Sequence, residues 1–163
     1  MVIARVNGTF EDWSGALAFD PENPAASSVE VAVDVASIDT HNADRDAHLR
    51  SGDFFDTETY PEMKFVSTAV EAVDADNLRV AGDLTLHGIT HPVVLDVEYG
   101  GRVIDPWGND RIGFTAKGKV NRADFGLTWN AALETGGVLV GESVDITIEL
   151  EATAAAVSEE VAA

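Results

Sequence analysis

Val144-Asp145-Ile146-Thr147-Ile148-Glu149-Leu150-Glu151 alternates apolar and polar residues without a break. A period of two puts Val144, Ile146, Ile148 and Leu150 on one face of a strand and the acids with Thr147 on the other. One dry face and one wet face marks an antiparallel sheet packed on one side only. The same alternation recurs upstream. Val29, Val31, Val33 and Val35 oppose Glu30 and Asp34. Leu78, Val80, Leu84 and Leu86 oppose Arg79, Asp83 and Thr85. Val93, Leu95, Val97 and Tyr99 oppose Asp96 and Glu98, and Ile112, Phe114 and Val120 oppose Thr115, Lys117 and Lys119. The segments Ala4 to Asp20 and Met63 to Ala72 fit the period less well.

Turn residues punctuate these runs. They are Asp20-Pro21-Glu22-Asn23-Pro24, Asp74-Ala75-Asp76-Asn77, His87-Gly88-Ile89-Thr90-His91-Pro92, Tyr99-Gly100-Gly101 and Gly136-Gly137. Thr40 to Gly52 breaks the β pattern. Asn42 or Asp44 is placed to cap a short helix there and Gly52 to end it, which predicts a helix near residues 42–51 lying across one end of the sheet. Pro61 forces an extended approach to the next strand. The reading is an all-β domain over residues 1–153, followed by an acidic, alanine-rich tail at 154–163 that is frayed or loosely helical.

With 163 residues, the chain suits one domain with one core. It has no cysteine, which excludes disulfides, thiolate zinc sites and thiol nucleophiles. Ten basic residues against 29 acidic ones give a net charge of −19. A protein that binds nucleic acid needs a cationic footprint to neutralise phosphates, so nucleic acid is not an expected partner. No run approaches the ~20 apolar residues of a membrane helix, so stable membrane insertion is not expected. The N-terminus carries no leader pattern. As written the chain is expected in the cytoplasm, and in the periplasm or outside the cell if a signal peptide precedes it.

Seven or eight strands in about 150 residues leave a sandwich or a closed barrel. Gly82, Ala116 and Gly118 lie in phase with the apolar faces. Small inward residues would leave a barrel interior partly unfilled, enough for one small ligand. The alternative is that the glycines relieve curvature or mark bulges.

Several motifs occur in order. They are Ser37-Ile38-Asp39-Thr40, Arg45-Asp46-Ala47-His48-Leu49, Asp53-Phe54-Phe55, Tyr60-Pro61, Gly82 to Thr90 with Pro92-Val93, and Asn121-Arg122-Ala123-Asp124-Phe125-Gly126-Leu127. Together they resemble the YceI-like family from about Val2 to Ala152. The resemblance implies an extended lipocalin-like antiparallel β-barrel of about eight strands, with a long apolar tunnel that binds a polyisoprenoid-type lipid. Val6-Asn7-Gly8-Thr9-Phe10 looks like the family's V-x-G-x-F, which normally follows a strand resembling W-x-I-D-x-x-H-S. That strand is absent from the chain as written, which would open the barrel and expose two edges. A homodimer or strand exchange would cover them.

On this reading the cavity is lined by Phe54, Phe55, Phe65, Leu84, Leu86, Leu95, Val97, Phe114, Phe125, Leu127, Trp129, Ile146 and Ile148, since a binding cavity is mostly apolar. Arg45, His48 and Arg122 are the candidates for a ligand head group. Arg122 matches a diphosphate geometrically, and equally a neighbouring Asp124 or a loop carbonyl. Arg45 and Asp46 can instead tie the helix to the barrel. His41 and His48 lie two helical turns apart, too short a segment to expect a metal site. His87 and His91 flank a turn and could meet across it. No nucleophile elbow, Walker loop or dinucleotide fingerprint is present, so no catalytic residue and no cofactor is expected. The function expected is binding of a polyisoprenoid or isoprenoid quinone for sequestration or transport. The alternatives are an isomerase or hydrolase using the same cavity, and a filled barrel serving as an interaction module.

Overall fold

The computed structural model describes residues 6–131 and 140–153. The Gly136-Gly137 turn and the tail from 154 lie outside the described residues. Nine strands and one helix follow in chain order: β1 (Thr9–Phe10), β2 (Trp13–Ala18), β3 (Ser28–Asp34), β4 (Ile38–Asp39), α1 (Ala43–Arg50), β5 (Glu62–Ala72), β6 (Asn77–Leu86), β7 (Ile89–Ile104), β8 (Asp110–Asn121) and β9 (Ser143–Thr153). Seven of them form one antiparallel sheet in the order β2-β3-β5-β6-β7-β8-β9, and β1 pairs only with β4. The sheet curls into a half-barrel. Among the described residues β2 and β9 do not pair, so both are edges.

The cleanly alternating segments are strands in the expected phase, except that Val35 lies in a 3-10 turn after β3 and Val144, near the start of the edge strand β9, is exposed. Val80, Leu84, Leu86, Leu95, Val97 and Phe114 are buried on the concave side. The segment Met63 to Ala72 fits poorly because β5 contains a bulge. Its register against β6 shifts between Ser67 and Ala69, so Phe65 and Val70 both face the core although their spacing is odd. Gly82 pairs with Ser67 at that bulge.

The expected loop from His87 to Pro92 is instead a two-residue turn. His87 and Gly88 take positive φ (56° and 74°), the geometry that matches hairpin twist, and Ile89 already pairs with Leu86. Pro92 therefore sits inside β7. It is tolerated because β8 joins β7 only from Asp96 onward, leaving that stretch of β7 with one open side.

Two of the three small inward residues do not open space. A Cβ on Gly82 would strike the Phe65 ring and lie 2.6 Å from the Val66 carbonyl oxygen. One on Gly118 would lie 2.6 Å from Leu95 Cδ2. The glycines admit their neighbours' side chains. Gly82→Ala is accordingly expected to destabilise the fold by about 1–3 kcal/mol, read as a lower urea midpoint at unchanged m-value.

The two ends of the half-barrel differ. At one end, Asn42 caps α1 by accepting the Arg45 amide, with Asp44 and Asp46 in the first turn. The helix, the His87-Gly88 turn and a 3-10 turn at Arg122–Phe125 close this end, where Phe125 is fully buried. The other end is formed by the loop after β2, the β5–β6 turn and the long β7–β8 hairpin. It stays open.

Candidate functional site

The concave face of the sheet encloses a cleft of about 150 Å³ to which every strand of the seven contributes. Leu17 and Phe19 come from β2 and its end, Val29, Val31 and Val33 from β3, and Met63, Phe65 and Val70 from β5. β6 supplies Leu78, Val80 and Leu84, and β7 supplies Val93, Leu95 and Val97. Phe114 and Ala116 on β8 face Ile146, Ile148 and Leu150 on β9. Ser27 and Ser28 are the polar members of this lining. Phe19 stands edge-on to Phe114, 5.1 Å between centroids, and tilts against Tyr99. Together with Leu78, it also lines a second hollow of about 320 Å³ at the open end, walled by Pro21, Pro24, Ala72 to Ala75 and Tyr99. The two hollows share Phe19 and Leu78 as walls, and the second borders this end.

Of the residues expected in the lining, Phe65, Leu84, Leu95, Val97, Phe114, Ile146 and Ile148 face the cleft. Leu86, Phe125 and Leu127 are buried in the core beyond it, at the closed end. Phe54 and Trp129 pack on each other and on the His48 ring, and Phe55 packs on Phe10. Val29, Val31, Val33, Leu78, Val80 and Leu150 were readable from their phase. Leu17, Phe19, Met63 and Val70 were hidden by the irregular segments.

The three head-group candidates all lie at the closed end, and their polar atoms are engaged with the chain itself. Arg122 is buried. Its guanidinium donates to the carbonyls of Gly141, Leu127, Trp129 and Val140, at 2.7–3.3 Å. Of the three partners its chemistry allowed, a diphosphate, Asp124 or loop carbonyls, the fold uses the loop carbonyls. Arg45 donates through Nε to Thr40 Oγ1 and through a terminal nitrogen to the Thr40 carbonyl, both at 2.8 Å. Thr40 in turn donates its amide and hydroxyl to Asp46 Oδ1. These donors hold the buried Asp46 carboxyl below its ordinary value, the Thr40 hydroxyl most of all. His48 donates from Nε2 to Asp53 at 2.8 Å.

His41 lies beside Asp39 at 3.7 Å. His87 donates from Nδ1 to the Phe125 carbonyl and packs on Tyr60. His91 stands 3.8 Å from Asp124 and against Phe125. The last two support the buried Phe125 turn from two sides. Among the described residues no three His, Asp or Glu side chains converge on a metal-sized site.

The clearest electrostatic feature is at the far tip. Asp105 accepts Arg111 Nε at 2.7 Å and the amides of Trp107 and Asn109. Arg111 above all pulls its pKa from 3.8 to about 2. A depressed carboxylate stabilises the fold fully above its unfolded pKa and loses that contribution as pH falls through the folded one. Wild type and Asp105→Asn should therefore differ in Tm at pH 6 and converge between about pH 4 and pH 2. Thermal unfolding across that range checks it.

A curled antiparallel sheet with a dry cleft, stoppered at one end, defines a lipocalin-like half-barrel. The chain belongs to the YceI-like domain family, which it matches over residues 1–152. It is 48% identical over 120 residues to Protein YceI of Escherichia coli, covering 74% of this chain and 62% of that protein. The chain spans about three fifths of the length of the curated relatives it matches. The crystal structure of a Campylobacter jejuni YceI protein superposes with a TM-score of 0.81 at 33% identity, covering 95% of this chain and 88% of that one. A polyisoprenoid binding domain from Saccharophagus degradans shares the fold with a TM-score of 0.61 at 18% identity, over 88% of this chain and 83% of its own.

Proposed function

We propose that this protein binds an apolar lipid of the polyisoprenoid or isoprenoid quinone type in the half-barrel cleft, for sequestration or transport. The observation that carries the reading is the lining, which is apolar on all seven strands apart from two serines. Such a surface recognises hydrocarbon, and its two serines have no acid or base beside them in the lining. The description of the Saccharophagus degradans domain as polyisoprenoid binding supports the choice of lipid class. A tail that removes roughly 500 Å² from water gains about 12 kcal/mol gross. Association and ordering costs of several kcal/mol or more reduce that to an ordinary affinity.

The test is organic extraction of the purified native protein followed by mass spectrometry. A stoichiometric isoprenoid species is the expected result. Folded protein that yields an empty extract and also refuses added polyprenyl lipid would overturn the reading.

A further inference from the structure

We propose that the tip of the β7–β8 hairpin, residues 102–111, docks the protein on a zwitterionic lipid surface of no net charge and so brings the mouth of the cleft against it. Past Tyr99 the hairpin leaves β6 behind. β6 begins at Asn77, opposite Glu98, so the pairs from Gly101 to Ile104 with Gly113 to Asp110 stand beyond the β5–β6 turn that borders the mouth. At about 3.3 Å per residue this is a projection of roughly 15 Å past β6, with β9 alongside β8 as far as Thr153. It carries the most exposed large apolar side chains described: Trp107 at 82%, Ile104 at 67% and Val103 at 62%. A tip has no core to serve, and a tryptophan with two aliphatic neighbours is the composition that partitions into a membrane interface.

The charged side chains of the tip are already paired. Arg102 is paired with Asp110, and Arg111 with Asp105 and Glu151. The amides of Asp105, Trp107, Gly108 and Asn109 are all bonded inside the turn. Docking such a segment strands no lone charge. Residues 102–111 hold two arginines and two aspartates, net zero in a chain of −19. That balance favours a zwitterionic surface, because an anionic one would repel the rest of the molecule. A protein partner would ordinarily be met with free charges at the rim of the patch, and the charges of this tip are paired. The purpose of docking rests on the lipid-binding reading above: a cargo lipid resides in a bilayer, and the mouth lies beside the tip.

The experiment is flotation of the purified full chain with phosphatidylcholine vesicles, comparing wild type with Ile104→Ser/Trp107→Ser. The wild type is expected to float, and the double variant to bind about tenfold or more weakly, with unchanged Tm because both side chains are exposed. Val94→Ser, on the outer face of β7 far from the tip, should float like the wild type. Wild type that stays in solution, or a double variant that floats as well as wild type, overturns the proposal. So does concentration-dependent self-association without vesicles that the double variant abolishes, since the tip would then be covered by a second copy. Normal flotation with an empty organic extract would sink the cargo reading and leave the docking surface standing.

Discussion

Arg122→Met is expected to lower the unfolding free energy by about 2–5 kcal/mol, the largest stability effect of any single polar substitution here. The side chain is 7% exposed, and its guanidinium satisfies carbonyls at 127, 129, 140 and 141. Methionine fills much of the volume and satisfies none of them. Each buried acceptor left without a donor costs about 1–3 kcal/mol, partly relieved where water can reach. Lysine, with a compact ammonium in place of a planar fork, spans fewer of these carbonyls and should recover only part of the loss. Urea unfolding of the two variants measures it. Stability equal to wild type in Arg122→Met would show that the four carbonyls find other partners, and the arginine would again be free for a ligand.

Ile148→Asp is expected to weaken lipid binding by at least about a hundredfold, roughly 3 kcal/mol, while the protein stays folded. Ile148 faces the cleft from β9, opposite Ala116, and is only half-buried because β9 is an edge. A carboxylate there can reach water in the empty protein and cannot do so beneath a hydrocarbon tail. Phe114→Asp would test the same wall less cleanly, since Phe114 also packs on Phe19 and Tyr99 and its loss threatens the core. Ile148→Val should bind nearly as wild type. Titration with a fluorescent prenyl analogue gives both values. Undiminished affinity in Ile148→Asp would place the lipid elsewhere.

The strands were legible wherever the period of two ran unbroken, because a half-buried sheet imposes that period on its residues. β3, β6 and β9 are the plain cases. The helix was legible from Asn42 and the acids behind it, since a cap is a local requirement. What escaped was non-local or locally irregular. The bulge in β5 moves Val70 into the core against its apparent phase, and nothing in Met63 to Ala72 alone announces it. Gly82 and Gly118 looked like vacancies, yet the space each leaves is taken by Phe65 and Leu95 from neighbouring strands. Arg122 offered a charge suited to phosphate. Its carbonyl partners lie up to nineteen residues away, in segments whose composition carries no mark of the contact. Six of the seven expected residues that face the cleft sit on regular strands, where phase alone decides the face, and the seventh, Phe65, precedes the β5 bulge.

The closed end of the half-barrel has a consequence for which lipids are told apart. On the lipid-binding reading, a tail can advance only until it meets the stopper around Phe125. Every methylene held inside adds about 0.8 kcal/mol, and every one left outside adds almost nothing. Affinity should climb with chain length and then level off at the depth of the cup. A protein built this way is a ruler, and it is blind to whatever the lipid carries above the rim.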